Sequence, residues 1–230
     1  HRYFIDGTPA AAEVTGFSFS RILAGGLGKG GRGYYALNIS SYDAANEAAA
    51  ASKVLWEFSP SGMGYSFGTP LIVKTAAGWR VVVTSGYDAS VSGQVWVLDP
   101  ASGAVLASID TGVSAAGLAH LSRLANTAPD AVVRYVWGGD LKGNVWRFDL
   151  DTGTAMKIAT LTDTAGAEQP ITSPPEVGAV AGSNTKFMVQ VGTGRYLADE
   201  DVPGASQNVW ATQRQSVYGL IDDTTIVIAA

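Results

Sequence analysis

The sequence has no cysteine among its 230 residues, which excludes disulfides, cysteine–zinc sites and thiol chemistry. It has two histidines, His1 and His120, and neither lies in a nucleophile motif or has enough partners for a metal cage. Charged residues make up 15% of the chain and the net charge is −5, without a cluster of lysine or arginine, which argues against nucleic acid as a partner. No apolar run approaches the ~20 residues of a transmembrane helix, so we expect no membrane span.

Apolar residues and glycine are abundant instead. Hydrophobic residues account for 47% of the chain, and 28 glycines and nine prolines are spread along it. This composition is typical of a packed, turn-rich protein, and one all-β domain of this length is ordinary. Because the chain begins at His1 without a methionine or a signal-peptide pattern, we interpret it as a piece of something longer.

An internal repeat is the most informative feature of the sequence. Gly93-Gln-Val-Trp-Val-Leu-Asp-Pro-Ala-Ser-Gly103 and Gly143-Asn-Val-Trp-Arg-Phe-Asp-Leu-Asp-Thr-Gly153 lie fifty residues apart. A fainter copy is Gly33-Tyr-Tyr-Ala-Leu-Asn38, in which Tyr35 takes the tryptophan place and Asn38 the aspartate place. A period of about 40–50 residues with several short strands per unit is typical of a β-propeller. The residues that define the two full copies are Gly93, Trp96, Asp99, Gly103, Gly143, Trp146, Asp149 and Gly153.

Each copy predicts a buried strand followed by a tight turn. The unbroken apolar run Val95–Leu98 suits a strand covered on both faces, as in a propeller blade between its neighbours. Asp99 and Asp149 can cap the turn with a carboxylate, and the closing glycine tolerates a positive φ.

We therefore predict a single all-β domain over residues 1–230, a β-propeller of four-stranded antiparallel blades. The first unit contains expected strands at residues 1–9 and 17–24, and a short helix within Asp43–Ser52. The next two units include expected strands at Ala104–Ile109 and Gly117–Arg123. Closed propellers usually have more blades than four, so a fragment is expected. The approximate blades are residues 1–58, 69–110, 117–161 and 171–230.

Two motifs look like ligand sites, and we favour plain loops for both. Gly26-Leu-Gly-Lys-Gly-Gly31 fits the dinucleotide pattern G-x-G-x-x-G, but a strand follows it instead of the required helix. Asp88-Ala-Ser-Val-Ser92 spells the metal-binding D-x-S-x-S of von Willebrand A domains, but it leads directly into a repeat strand. The acidic stretch Asp199-Glu-Asp201 is interpreted as a solvated loop tip.

No set of residues forms a catalytic constellation, and we predict a protein that is not an enzyme. His120 is expected to be a packed side chain. The tryptophans are expected to pack blade against blade; they are Trp56, Trp79, Trp96, Trp137, Trp146 and Trp210.

Further phrases, in this order along the chain, resemble the C-terminal β-propeller of the PilY-type (PilC-type) type IV pilus assembly and tip-adhesin family. The resemblance runs from His1 to about Asp222. The phrases are His1-Arg-Tyr-Phe-Ile-Asp-Gly-Thr-Pro9, Gly25-Gly-Leu-Gly28, Gly33-Tyr-Tyr-Ala-Leu-Asn38, Leu55-Trp-Glu-Phe58, Met63-Gly-Tyr-Ser-Phe67, Gly138-Gly-Asp-Leu141, the Gly143–Asp149 repeat strand, Gln169-Pro-Ile-Thr172 and Gly192-Thr-Gly-Arg-Tyr-Leu197.

The resemblance implies a seven-bladed propeller of quinoprotein-like blades, at the pilus or cell surface of a Gram-negative bacterium, reached through the periplasm and outer membrane. It implies roles in pilus assembly, in control of extension against retraction, and in surface attachment. The implied partners are minor pilins or other pilus components and a host or abiotic surface.

The family often carries a calcium loop, D-x-[DN]-x-D-G-x-x-D, and here its ligand positions one, three, five and nine are Asn126, Ala128, Asp130 and Arg134. Calcium takes six to eight oxygen ligands, so this degenerate loop is expected to hold no calcium, and no cofactor is expected. We hypothesise that the Arg134 guanidinium replaces the ion by pairing with Asp130, together with Asn126.

Two alternatives remain open. Quinoprotein dehydrogenases share the blade type, so the chain could be an enzyme fragment that binds a quinone with calcium. Against that stand the missing cysteines and the lack of an evident carboxylate set for calcium. The other alternative, an outer-membrane assembly scaffold built from propeller blades, differs mainly in its partner.

Overall fold

The structure is a computed structural model that describes residues 4–41, 43–124, 128, 131–202 and 212–226. Strands dominate this part of the chain, with one α-helix, α1 (Glu47–Ala51), which Asn46 caps by accepting a hydrogen bond from the Ala49 N–H. The strands are β1 (Ala10–Glu13), β2 (Arg21–Gly26), β3 (Tyr34–Asn38), β4 (Val54–Phe58), β5 (Leu71–Thr75), β6 (Gly78–Thr84), β7 (Ser92–Leu98), β8 (Val105–Ser114), β9 (Leu121–Ser122), β10 (Tyr135–Gly139), β11 (Asn144–Asp149), β12 (Thr154–Thr160), β13 (Glu176–Ala179), β14 (Lys186–Gly192) and β15 (Val217–Asp223).

The strands form four antiparallel sheets, each made of strands consecutive in the chain. The first sheet is β1–β4, the second β5–β8, the third β9–β12, and the fourth β13–β15, with three strands in the described residues. Most neighbouring strands are joined by short loops, whereas longer segments join β3 to β4, β9 to β10 and β14 to β15. Each sheet is still completed by consecutive strands before the next begins. This is the blade arrangement of a β-propeller and confirms the predicted fold class.

Alternate side chains of a central strand pack against different neighbouring sheets. In β7, Val95 and Val97 join an apolar cluster with the third sheet, whereas Trp96 and Leu98 join a cluster with the first sheet. A third cluster, which contains Trp137, lies between the third and fourth sheets. Period-two alternation in a fully apolar strand thus fills two interfaces at once, as the unbroken run predicted.

The repeated tryptophans face the same way in their respective sheets. Trp96 packs toward the first sheet and Trp146 toward the second, so each faces the preceding sheet. Trp56 and Trp79 meet in the interface of the first and second sheets. The prediction of blade-to-blade packing is confirmed for these side chains, while Trp210 lies outside the described residues.

The expected strand over residues 1–9 is wrong for its described part, since residues 4–9 form no strand and β1 begins at Ala10. The reason is that this segment lies against the glycine-rich loop after β2. The Asp6 carboxylate accepts a hydrogen bond from the Lys29 N–H at 2.8 Å. A Cβ on Gly7 or Gly30 would collide with backbone across this contact.

Other strands also differ in their bounds from expectation, and β2 begins at Arg21 instead of residue 17. β9 spans two residues instead of Gly117–Arg123, because Gly117 has a φ of +62° and the Leu141 N–H bonds the Ala116 carbonyl just before it. β8 extends beyond the expected Ala104–Ile109 to Ser114, with register shifts that accommodate extra residues opposite β7.

Candidate functional site

The two repeat turns have the same geometry. The Asp99 carboxylate accepts hydrogen bonds from the N–H groups of Ala101 and Ser102, and Gly103 follows with a φ of +69°. Asp149 accepts in the same way from the next two N–H groups, and Gly153 has a φ of +68°. Each closing glycine N–H also returns to the aspartate carbonyl at 2.9 Å. The carboxylate and glycine positions are therefore determined by turn closure.

The first and fourth sheets share the first side-chain bond of this turn. Asn38 accepts a hydrogen bond from the Ser40 N–H, and Asp223 accepts from the N–H and hydroxyl of Thr225. Sequence reasoning identified Asn38 but missed Asp223, because β15 has Leu220 where the other copies have tryptophan or tyrosine. The available signal was an aspartate two residues before a threonine at the end of an apolar strand.

Arg134, the last position of the degenerate calcium loop, pairs with a repeat aspartate. Its Nη2 and Nε lie 2.8 Å and 3.1 Å from Asp149 Oδ2, and its Nε lies 3.9 Å from Asp151 Oδ2. The guanidinium also stands over the ring of Tyr135, 5.0 Å from its centroid. The loop end is thereby attached to the turn at the end of β11.

The rest of the expected loop is only partly described. Asn126 and Asp130, the proposed partners of Arg134, lie outside the described residues. Ala128 is described and offers no side-chain oxygen, and Arg134 brings a positive charge to a ligand position. These two positions do not fit a calcium site, which needs oxygen ligands.

The Arg134–Asp149 pair shifts the pKa of both groups. Burial pushes the pKa of the Asp149 carboxyl upward, but hydrogen bonds from Arg134 and from the turn N–H groups outweigh it and hold that pKa below its ordinary value. The hydrogen bond to Asp149 raises the pKa of the Arg134 guanidinium. The pair is therefore charged throughout the neutral range, although Arg134 is half exposed.

A second arginine of the third sheet forms a buried pair with the fourth sheet. Arg147 Nη1 lies 2.6 Å from Asp222 Oδ1, and their side chains are 7% and 2% exposed. Trp137 Nε1 donates to the other oxygen of Asp222 at 2.8 Å. Burial raises the pKa of the Asp222 carboxyl, and the bonds from Trp137 and Arg147 oppose that rise. This contact joins the two sheets at the end of their cluster.

The phrase Gly138-Gly-Asp-Leu141 contains another buried carboxylate. Asp140 accepts from the N–H groups of Lys142 and Asn144, from the Asn144 amide, and from Trp146 Nε1 at 2.8 Å. Burial raises the pKa of the Asp140 carboxyl, although these bonds favour its charged form. Asp140 therefore fixes the repeat tryptophan, and the bonds of its carboxylate described here all lie within the third sheet.

The glycine-rich loop after β2 has a structural role. A 3₁₀ helix, Gly28–Gly30, replaces the α-helix that a dinucleotide site needs, and β3 follows at Tyr34. The buried hydroxyl of Ser66 accepts from the Leu27 N–H at 2.9 Å and donates to the Gly33 carbonyl at 2.6 Å. Ser66 lies in the phrase Met63–Phe67, which thus ties this loop to the connection between the first two sheets.

Loops from three sheets meet at Tyr87, and we call this patch the loop surface; its residues are Arg32, Tyr65, Tyr87, Asp88 and Thr172. Tyr65 and Tyr87 exchange backbone hydrogen bonds at 3.0 Å, and the Tyr87 hydroxyl lies 3.5 Å from the Thr172 carbonyl. Arg32 bonds Asp88 at 2.5 Å and stands 5.0 Å from the centre of the Tyr65 ring. Tyr65 is 39% exposed, so the patch presents an aromatic ring beside an ion pair.

Asp88 belongs to this surface and shows what the D-x-S-x-S motif does here. Its carboxylate accepts from the N–H and hydroxyl of Ser90 at 2.7 and 2.5 Å, and these bonds chiefly lower the pKa of Asp88. Within the described part of the chain, no three histidine, aspartate or glutamate side chains lie close enough together to hold a metal ion. The motif forms a loop that pairs with an arginine.

The other candidate residues also take structural places. The prediction that Asp201 lies at a solvated loop tip is wrong. Its side chain is fully buried, pairs with Arg195 and accepts a hydrogen bond from the Leu197 N–H. His120 is partly buried, and burial lowers the pKa of its imidazole. His1 lies outside the described residues. The helices described here are too short to cross a bilayer.

Comparison with known proteins confirms the resemblance. A family model described as the PilY1 beta-propeller domain matches residues 1–157. The chain is 29% identical over 263 residues to the Type IV pilus biogenesis factor PilY1 of Pseudomonas aeruginosa (strain UCBPP-PA14), covering 98% of this chain and 22% of that protein. It is 30% identical over 263 residues to a Type IV pilus biogenesis factor PilY1 homolog of Xylella fastidiosa (strain Temecula1 / ATCC 700964), covering 100% of this chain and 17% of that protein.

A solved structure agrees with the fold. The crystal structure of the Pseudomonas aeruginosa PilY1 C-terminal domain superposes with a TM-score of 0.76 at 27% identity, covering 96% of this chain and 49% of that one. The chain thus spans about a fifth of the length of the curated relatives and about half of the solved domain.

Proposed function

This chain belongs to the family of PilY1 β-propeller domains, and from that premise we propose that it is a non-enzymatic propeller module of a type IV pilus biogenesis factor and tip adhesin. The observation that carries the proposal is the family match over residues 1–157 on a four-sheet propeller fold. The module acts in pilus assembly, in the balance of extension and retraction, and in surface attachment. It works at the cell surface with minor pilins or other pilus components.

The distribution of polar contacts in the described residues supports a contact function. The buried carboxylates described above accept hydrogen bonds from groups of the same chain; they are Asp140, Asp201 and Asp222. The loop surface instead presents Tyr65 and the Arg32–Asp88 pair at the meeting point of three sheets. An aromatic ring beside an arginine is the composition typical of protein contact sites.

Complementation in a pilated bacterium tests this proposal. A strain that lacks the full-length protein receives wild type, the loop-surface variant Arg32→Glu/Tyr65→Ala, or a matched variant, Arg21→Glu, at another exposed arginine. We expect the loop-surface variant to be exported at normal levels but to reduce surface pili and attachment, whereas Arg21→Glu behaves as wild type. Normal pili and attachment with the loop-surface variant would remove the contact role from this patch. Normal pili after deletion of the whole propeller would refute the proposal itself.

The quinoprotein alternative makes a different prediction. A quinone-dependent dehydrogenase would bind pyrroloquinoline quinone in the presence of calcium and reduce a dye. We expect neither binding nor dye reduction with the purified chain. Saturable quinone binding with turnover would favour the enzyme instead.

We further propose that Arg134 holds the end of the degenerate loop without calcium. The support is the pairing of Arg134 with Asp149 and Asp151, together with the lack of a side-chain oxygen at Ala128 that could ligate calcium. The test is thermal unfolding with calcium and then with excess chelator, because a ligand that binds only the folded state raises the melting temperature. We expect equal melting temperatures. A rise of several degrees with calcium would mean that a site exists and that the arginine does not replace it.

A further inference from the structure

The interface between the first and second sheets is filled by an indole ring. Trp56, on β4, is buried, and its ring lies against the Cα of Gly103, where an added Cβ would come within 2.7 Å of it. Its Nε1 donates to the Pro100 carbonyl at 3.0 Å. The repeat turn of the second sheet therefore rests on a tryptophan of the preceding sheet.

The strand registers identify the equivalent position in the next interface. Trp56 pairs with Ala36, which lies two residues before the turn residue Asn38, and Ala107 pairs with Val97, which lies two residues before Asp99. Ala107 on β8 is thus the counterpart of Trp56, and it faces the third sheet as Trp56 faces the second. A methyl group stands where the preceding interface has an indole.

A solvent-open cavity of about 550 Å³ occupies that place. Val97, Leu106 and Ala107 line it from the second sheet, and Leu150, Asp151 and Gly153 line it from the turn of the third. The point where a Cβ would stand on Gly153 has no described atom within 4 Å, whereas the same point on Gly103 meets the Trp56 ring. The turn is the same and Leu150 is buried beside it, but its closing glycine lacks the ring contact that Gly103 has.

We propose that this cavity is a binding site for an indole ring, presented by a tryptophan side chain of a partner protein. Its volume falls in the range of small-molecule pockets, and buried tryptophans are common anchors of protein interfaces. Leu150 occupies the place of Pro100 in the turn, so its carbonyl is positioned to accept the indole N–H. The proposal is independent of the pilus role, since it rests only on the internal repeat.

The test is a titration of the purified chain with indole and with N-acetyl-tryptophanamide, followed by ligand-detected NMR and thermal unfolding. We expect saturable binding of one equivalent and a rise in melting temperature. Ala107→Trp supplies the ring from within, so it should raise the melting temperature without ligand and abolish binding. The matched control is Val105→Trp on the same strand, where the side chain is 49% exposed and outside the cavity; it should bind as wild type.

Two further arms define the chemistry. 1-Methylindole lacks the N–H donor and should bind about threefold to tenfold more weakly, the usual worth of one hydrogen bond. Trp56→Ala empties the first interface and should bind a second equivalent of indole, as apolar cavities do for matching rings. Lack of saturable binding to wild type, or unchanged binding to Ala107→Trp, would overturn the proposal.

Discussion

Two arginines of the third sheet meet carboxylates in very different surroundings. Arg134 is half exposed beside Asp149, whereas Arg147 and Asp222 are almost completely shielded from water. A buried pair costs several kcal/mol per ion in desolvation, and the mutual attraction and extra hydrogen bonds must repay it. We therefore expect removal of the arginine to reduce stability much more in the buried pair than in the half-exposed pair.

Arg147→Met is expected to lower the free energy of unfolding by about 3–5 kcal/mol, because it leaves the Asp222 carboxylate buried with only Trp137 as a partner in the contacts described above. Urea unfolding followed by tryptophan fluorescence measures the loss. The double variant Arg147→Met/Asp222→Leu should recover part of the loss. The positions equivalent to Asp222 in the second and third sheets hold apolar residues, Leu98 and Phe148. About 1–3 kcal/mol should remain, because the Trp137 N–H loses its acceptor. A double variant as unstable as the single one would contradict this account.

Arg134→Met should cause a much smaller loss, and one that depends on pH. The pKa of Asp149 is held below its unfolded value, so this carboxylate contributes stability above about pH 4 and loses it as the pH falls through the folded pKa. We expect wild type and variant to differ at pH 7 and to converge in acid. The measurement is the urea midpoint from pH 7 to pH 2. Arg80→Met, at an arginine bonded only to carbonyls in the contacts described, is the control without that convergence.

At the scale of elements, the two repeat turns form a matched pair for mutation. Gly103→Ala and Gly153→Ala impose the same strain, about 1–2 kcal/mol, because both positions have a φ near +68°. Only Gly103 also faces the Trp56 ring. We expect Gly103→Ala to be clearly more destabilising by urea unfolding, while Gly153→Ala shows the strain alone. Equal losses would mean that the ring adjusts without cost.

Local patterns predicted most of these elements. The Val95–Leu98 run determined a strand buried on both faces, and the aspartate–glycine spacing determined the turn. What could not be read was non-local: Asp149 reaches Arg134 only because β10 and β11 pair with Tyr135 opposite it. The sequence around Ala107 did not indicate the cavity either, because the lack of an aromatic ring there matters only in the contact with the turn of the next sheet. The strand expected before Pro9 failed because backbone contacts to the glycine-rich loop replace pairing there.

At the scale of the whole molecule, the burial of equivalent residues depends on whether another sheet packs against their own sheet. Val97 and Ile221 both stand two residues before a turn aspartate, on β7 and β15. Val97 is covered by the third sheet, whereas Ile221, on the outward face of the fourth sheet, is 52% exposed. Burial is thus a property of the neighbouring sheet rather than of the repeat sequence.

Substitution at these two positions measures that difference. Val97→Ala should lower the free energy of unfolding by about 2 kcal/mol, because it removes buried methyl groups and leaves a cavity between two sheets. Ile221→Ala should cost less than about 0.5 kcal/mol, since most of the side chain is already in water. Urea unfolding of both variants beside wild type gives the comparison. A comparable loss at Ile221 would show that something covers this face in solution, and a concentration-dependent unfolding midpoint would identify a second copy of the chain as the cover.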